Sequence, residues 1–156
     1  MNPKIEVLLD QAESRYLKTE ELDAFKHYAI SLAQSLKTYE LLREQEVAIF
    51  QPVADQLIKA FPDTNQEILE RSLKNWLLIL RHCAMAMLLN DRDFLQQNLL
   101  DWLKGLVQTH QMVAVETKLY QLLQVRLKGL LSPQALALLE PYLTQAQTTL
   151  LEGTQS

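Results

Sequence analysis

One cysteine, three glycines and five prolines are all that 156 residues carry of these types, and each scarcity removes a class of structure. The lone Cys83 cannot form an intrachain disulfide, and its place in an apolar run fits a reducing interior. So few turn-formers argue against a sandwich or barrel of many short strands, which leaves long helices as the natural reading. A basic excess is missing too. Fifteen Lys and Arg stand against nineteen Asp and Glu, a net charge of −4, and the deficit lies in the first fifty residues, with six basic and nine acidic. No basic face can be assembled from that, which argues against duplex DNA or bare RNA as a partner. Met1-Asn2-Pro3-Lys4 precedes no apolar signal segment, and the greasiest stretch, Trp76 to Leu89, is too short to span a bilayer and contains Arg81. A soluble, cytosolic protein with no membrane insertion is expected. The 48% apolar and 22% charged composition is that of one ordinary globular domain. A chain of this length buries roughly 70% of its unfolded surface and needs no staple of disulfides or metal.

Apolar spacing predicts seven helices. The first, about Pro3 to Arg15, carries Ile5, Leu8, Leu9 and Ala12 on one stripe, with Pro3 in a first turn where a missing N–H costs nothing. Thr19 is the expected cap of the second, with Glu20 and Glu21 against the positive end of its dipole. Leu22, Phe25, Ala29, Leu32, Leu36 and Tyr39 then follow at steps of three and four, carrying that helix past residue 40. In the third, Pro52 either kinks the helix or resets its start, and Pro62 ends it. Thr64 and Glu67 read as a capping box before a helix reaching about Leu89, whose middle, Trp76 to Leu80, is apolar on every side and therefore central. Asp91 caps a helix carrying Phe94 to Leu106. A sixth spans about Val113 to Lys128, closed by Gly129, and the last opens on Ser132 and Pro133.

Catalytic patterns are absent: there is no Gly-rich phosphate loop, no CxxC and no HExxH. His82 and Cys83 are adjacent, so they point about 100° apart on a helix and cannot both ligate one ion. A partly buried His beside a core Cys is the expected reading; a single His as a haem ligand has no second marker to pair with. The carboxylates Glu20, Glu21, Asp23, Glu40, Glu44 and Glu46 fall on solvated faces or helix ends, as capping and solubility require. The aromatics recur at core spacing. An enzyme is the weaker class of hypothesis, and no metal site is expected.

The order of the pieces is similar to one family. Glu13-Ser14-Arg15-Tyr16-Leu17-Lys18-Thr19-Glu20-Glu21-Leu22, joining two N-terminal helices ahead of a globin-like set, resembles the opening of a phycobiliprotein subunit of the phycocyanin and allophycocyanin family. Phe61-Pro62, Ile79-Leu80-Arg81, Asn90-Asp91, Leu131-Ser132-Pro133 and Tyr142-Leu143 resemble successive landmarks of the same family across essentially the whole chain. The resemblance implies an all-α, globin-like (phycocyanin-like) domain over 1–156 with an N-terminal helical hairpin: pairing helices over 1–30 and a globin-like body over 31–151. It also implies a cyanobacterium-like source.

In that family the central helix carries a Cys-x-Arg-Asp run nine residues before a Leu-Arg pair. The Cys forms a thioether to a linear tetrapyrrole, the Arg holds a propionate, and the Asp bonds the central pyrrole nitrogens. Counting back nine residues from Arg81 places Ser72 at the Cys position, Lys74 at the Arg and Asn75 at the Asp. Serine has no thiolate to add to the bilin, so covalent attachment should fail. Asn75 offers no negative charge to a protonated chromophore, while Lys74 could still meet a carboxylate. Glu67 and Ile68 stand where the family has basic side chains, and the segment from Pro62 to Ser72, which would wall the pigment pocket, is short. No covalent cofactor is expected, and a looser site for free tetrapyrrole stays open.

What the resemblance leaves is association. Subunits of that family pair by packing their N-terminal helices against a partner's body, and Ile5, Leu8, Leu9, Ala12, Leu22 and Phe25 supply such a face here; the alternative is that the hairpin folds onto its own domain. The implied function is non-pigmented association, with itself as a homodimer or with phycobilisome subunits, in assembly, turnover or regulation of the photosynthetic light-harvesting antenna. The location is then cytoplasmic, at the cytosolic face of the thylakoid through the phycobilisome. The rival readings are a sensor or carrier holding free bilin or haem in the globin-like cleft, and a bilin lyase, for which no acid–base constellation is present.

Overall fold

The computed structural model of the protein describes residues 3–103 and 110–152. Helices account for nearly all of it: α1 (Pro3–Ser14), α2 (Thr19–Glu44), α3 (Glu46–Ala60), α4 (Gln66–Leu89), α5 (Arg92–Leu95), a π-helical turn (Gln96–Leu100), α6 (Asp101–Leu103), α7 (His110–Leu130) and α8 (Pro133–Glu152). The segment from α5 through the π turn to α6 is continuous and follows the expected fifth helix; Leu106, expected on it, lies outside the described residues. There is no strand among the described residues, and no helix among them is long and apolar enough to cross a membrane. The fold is all-α.

Helix ends differ from the sequence expectation in instructive ways. The N-cap of α2 is Lys18, not Thr19: the Lys18 backbone N–H donates to Glu21 Oε1 at 3.1 Å, and Arg15 Nη1 holds the same carboxylate at 2.8 Å. A carboxylate reaching back from the third position satisfies the orphan donor without a capping hydroxyl. At α4 the cap is Asn65, not Thr64, its Oδ1 accepting from the Glu67 N–H at 2.9 Å, because an amide oxygen at that position reaches the orphan N–H directly. Asp91 and Ser132 cap as expected, accepting from Phe94 N–H and Ala135 N–H, both at 3.1 Å. Asn90 ends α4 at φ 52°, the left-handed conformation that Asn tolerates. Gly129 does not close α7; it is helical and the helix runs to Leu130. Pro52 neither breaks nor restarts α3. Its missing N–H orphans the Ala48 carbonyl, which Arg126 Nε of α7 takes at 3.1 Å.

The core gathers around α4, which touches α2, α3, α5, α7 and α8. Trp76, Ile79, Cys83 and Ala86 are fully enclosed there, facing Leu57 of α3, Leu119 and Leu123 of α7, and Leu139 and Leu143 of α8. A helix apolar on all sides is driven to the centre because every face gains by leaving water. α2 reaches that core through Ser35, Thr38 and Leu42 rather than through the Leu22 to Leu36 stripe.

Candidate functional site

Ser72 is 1% exposed and turned inward from α4. Opposite it, α7 places Glu116, equally buried, and one turn along α4 the Trp76 indole N–H donates to Glu116 Oε2. Tyr120, one turn past Glu116, lies against Trp76 with ring centroids 5.2 Å apart and planes tilted by 38°; Gln124 Nε2 donates to its hydroxyl at 2.8 Å. Burial pushes the Glu116 carboxyl up to about 7, against the hydrogen bonds from Trp76 and Ser72, which favour its charged form. Glu116 Oε1 has no settled hydrogen-bond partner among the described residues. Ser72, which the resemblance sets at the anchor position, is thus enclosed beside a carboxylic acid that it shares with an indole.

Lys74 points elsewhere, since two helical steps of about 100° turn it away from Ser72, whereas Asn75, three steps on, lies within about 60° of it. Lys74 is exposed at an open cleft between α3 and α4, with Val47, Phe50, Leu73 and Leu77, while Asn75 is half-buried. Ser72, enclosed in the core, and Lys74, at the open cleft, therefore do not share one face. Arg81 forms a two-pronged pair with Glu46, Nε to Oε1 at 2.6 Å and Nη2 to Oε2 at 2.9 Å, which pins the start of α3 to α4 and holds the Glu46 carboxyl below its ordinary range.

Cys83 is buried, and desolvation drives its thiol far above the ordinary value, so it is no nucleophile. His82 has Nδ1 at 3.0 Å from the Leu78 carbonyl oxygen and its ring stacked on Phe94. No group of three His, Cys, Asp or Glu side chains suited to a metal ion occurs among the described residues.

The N-terminal hairpin divides its six expected contact residues. Ile5 and Leu8 are buried against their own chain, whereas Leu9, Ala12, Leu22 and Phe25 face outward. α2 runs unbroken across residue 30, and Leu22, Phe25, Ala29, Leu32 and Leu36 form one exposed row on it, about 21 Å long at 1.5 Å per residue. Leu22 and Leu36, its ends, are 44% and 46% exposed. A row of this kind, on a helix whose other side is already packed, is an unsatisfied apolar face.

Glu116 escaped the sequence reading, yet a signal was there. It falls on the row Glu116, Leu119 or Tyr120, Leu123, Leu127 that α7 turns to the core, and a carboxylate on a core row is rarely accidental. No curated protein matches the chain. Residues 8–150 do match the family model described as phycobilisome protein. With that match over almost its full length and an all-helical body, the chain belongs to the phycobilisome protein family.

Proposed function

We propose that this chain is a non-pigmented member of its family that acts by protein association in phycobilisome assembly, turnover or regulation, with phycobilisome subunits or a second copy as partner. Family membership supports a role connected with the phycobilisome, and the family's proteins are structural light-harvesting proteins rather than enzymes. The observation that carries the finer reading is the burial of Ser72 against Glu116 and Trp76. A tetrapyrrole has no open path to that position, and a serine hydroxyl would not add to it if it had. The exposed row on α2 supplies the surface for association.

Two outcomes test this. Co-expressed with bilin and a bilin lyase, the wild-type protein should remain free of covalent pigment on a denaturing gel. The triple substitution Ser72→Cys, Lys74→Arg and Asn75→Asp should remain so too, because Glu116 and Trp76 still close the site. Covalent colour on the wild-type chain would overturn the reading, and visible bands that survive native purification but not denaturation would favour the carrier. Second, Leu22→Glu with Leu36→Glu should leave helical content intact by circular dichroism while weakening association at least tenfold. Tagged wild-type protein should retain phycobilisome subunits, or its own untagged copy, from a host lysate, and the double variant should lose them. Equal retention by both would remove α2 as the contact surface.

A further inference from the structure

The exposed row on α2 is close to symmetric about its own middle. Ala29 is the midpoint: Phe25 and Ala33 lie four residues to either side, Leu22 and Leu36 seven, and Lys18 and Glu40 eleven. At 3.6 residues per turn, steps of four, seven and eleven return to within about 40° of the start, so these seven residues share one face of the helix. All seven are exposed. Apolar residues mirror apolar residues across the midpoint, and the two ends carry opposite charges. Neither Lys18 nor Glu40 forms an ion pair within the chain among the described residues. Glu21, whose carboxylate accepts from the Lys18 backbone, is held instead by Arg15 at 2.8 Å. Arg15 and Arg43, fourteen residues from the midpoint, would be like charges, but Arg15 stands before the helix begins and is taken by that pair.

We propose that this row docks on the same row of a second copy of the chain, antiparallel, with the two Ala29 residues meeting on a two-fold axis; the proposal rests on the association reading and names its partner. In that register Leu22 meets the partner's Leu36, Phe25 meets the partner's Ala33, and Lys18 meets the partner's Glu40, each contact occurring twice. Alanine at the crossing lets the helix axes approach to the close end of the usual range, about 8 Å. Parallel pairing would set lysine on lysine and glutamate on glutamate. Only the antiparallel arrangement places each cation against an anion, so the charges fix direction and register while the apolar row supplies the affinity. A contact that uses the same patch on both copies closes on itself, which yields a dimer and no filament. The row is about 21 Å long and one helix wide, small for a permanent complex, so the dimer should dissociate with a Kd on the order of 10–100 μM.

Sedimentation equilibrium of the full chain at low salt should show monomer and dimer exchanging in that concentration range. Lys18→Glu sets like charges at both ends by symmetry and should weaken the dimer on the order of tenfold, as should Glu40→Lys. The double variant exchanges the signs and should return to within about threefold of wild type. Ala29→Cys under oxidised glutathione should form a covalent dimer, while Ile30→Cys, exposed but turned about 100° from the axis, should not. Cys83 is buried and does not compete. Circular dichroism checks that every variant keeps its helices. A wild type still monomeric at about 1 mM, a double variant no stronger than the singles, or equal cross-linking through Ile30→Cys would overturn the proposal. A monomeric wild type that still retains phycobilisome subunits from lysate overturns the self-pairing and leaves the association reading standing; a chain that is monomeric and retains nothing overturns both.

Discussion

Trp76→Ala should lower the stability of the folded chain by about 3–5 kcal/mol, the cost of emptying a large, fully enclosed aromatic site. Two terms set that size. The indole fills the space between α4 and α7 against Tyr120, so its loss leaves a cavity whose helical walls cannot collapse. It also strands Glu116 Oε2, whose donor it is. Trp76→Phe separates the terms: it keeps most of the packing and loses the N–H, and should cost about 1–3 kcal/mol. Trp102 is the control. It is 70% exposed, and Trp102→Ala should stay within about 0.5 kcal/mol of wild type. In thermal unfolding the Trp76→Ala change is a drop on the order of 10 °C for a chain of this size. A loss near that of Trp102→Ala would mean that the α4–α7 contact is not the centre of the core.

Trp76 also marks where the sequence was legible and where it was not. Its position in a run apolar on all sides placed α4 at the centre, and the structure packs five helices around it. Helix order was equally readable, since Asp91 and Ser132 announce starts whose side chains do cap. Caps chosen by residue type alone went astray by one position at Thr19 and Thr64. There the decision rests on which side chain reaches the orphan N–H, and Arg15, distant in the loop, helps fix the carboxylate that does so at α2. Pro52 was ambiguous because its cost depends on a tertiary partner, Arg126, seventy-four residues away. The α2 row shows the same limit. Steps of three and four identify an apolar face without saying whether this chain or another covers it, and here Ser35, Thr38 and Leu42 took the core side. A sequence resemblance singles out Ser72, but not the carboxylic acid of α7 that lies against it, because that pairing joins residues forty-four apart.

That carboxylic acid gives the second large effect, a stability that falls as pH rises through the weakly acidic range. Glu116 titrates near 4.5 in the unfolded chain and at about 7 when folded, so between those values the folded state binds the extra proton. Its stabilising contribution is fully present below about pH 4.5 and is lost as pH climbs to about 7, a change of about 3 kcal/mol for a shift of this size. Glu46 and Glu21 run the other way. Held low by Arg81 and Arg15, they favour the fold above their ordinary range and lose that contribution as pH falls below it. The two windows barely overlap, so the maximum of stability should lie near about pH 5 rather than in the neutral range. Urea unfolding from pH 4 to 8 checks this. Glu116→Gln, which can still accept from the Trp76 indole, should flatten the curve between pH 4.5 and 7 and be the more stable protein at pH 8. Trp76→Phe should extend the window upward, because it removes a donor that favours the charged carboxylate. A wild-type curve that is flat or rising from pH 5 to 7, or one that Glu116→Gln leaves unchanged, would show that the acid is not held neutral by burial.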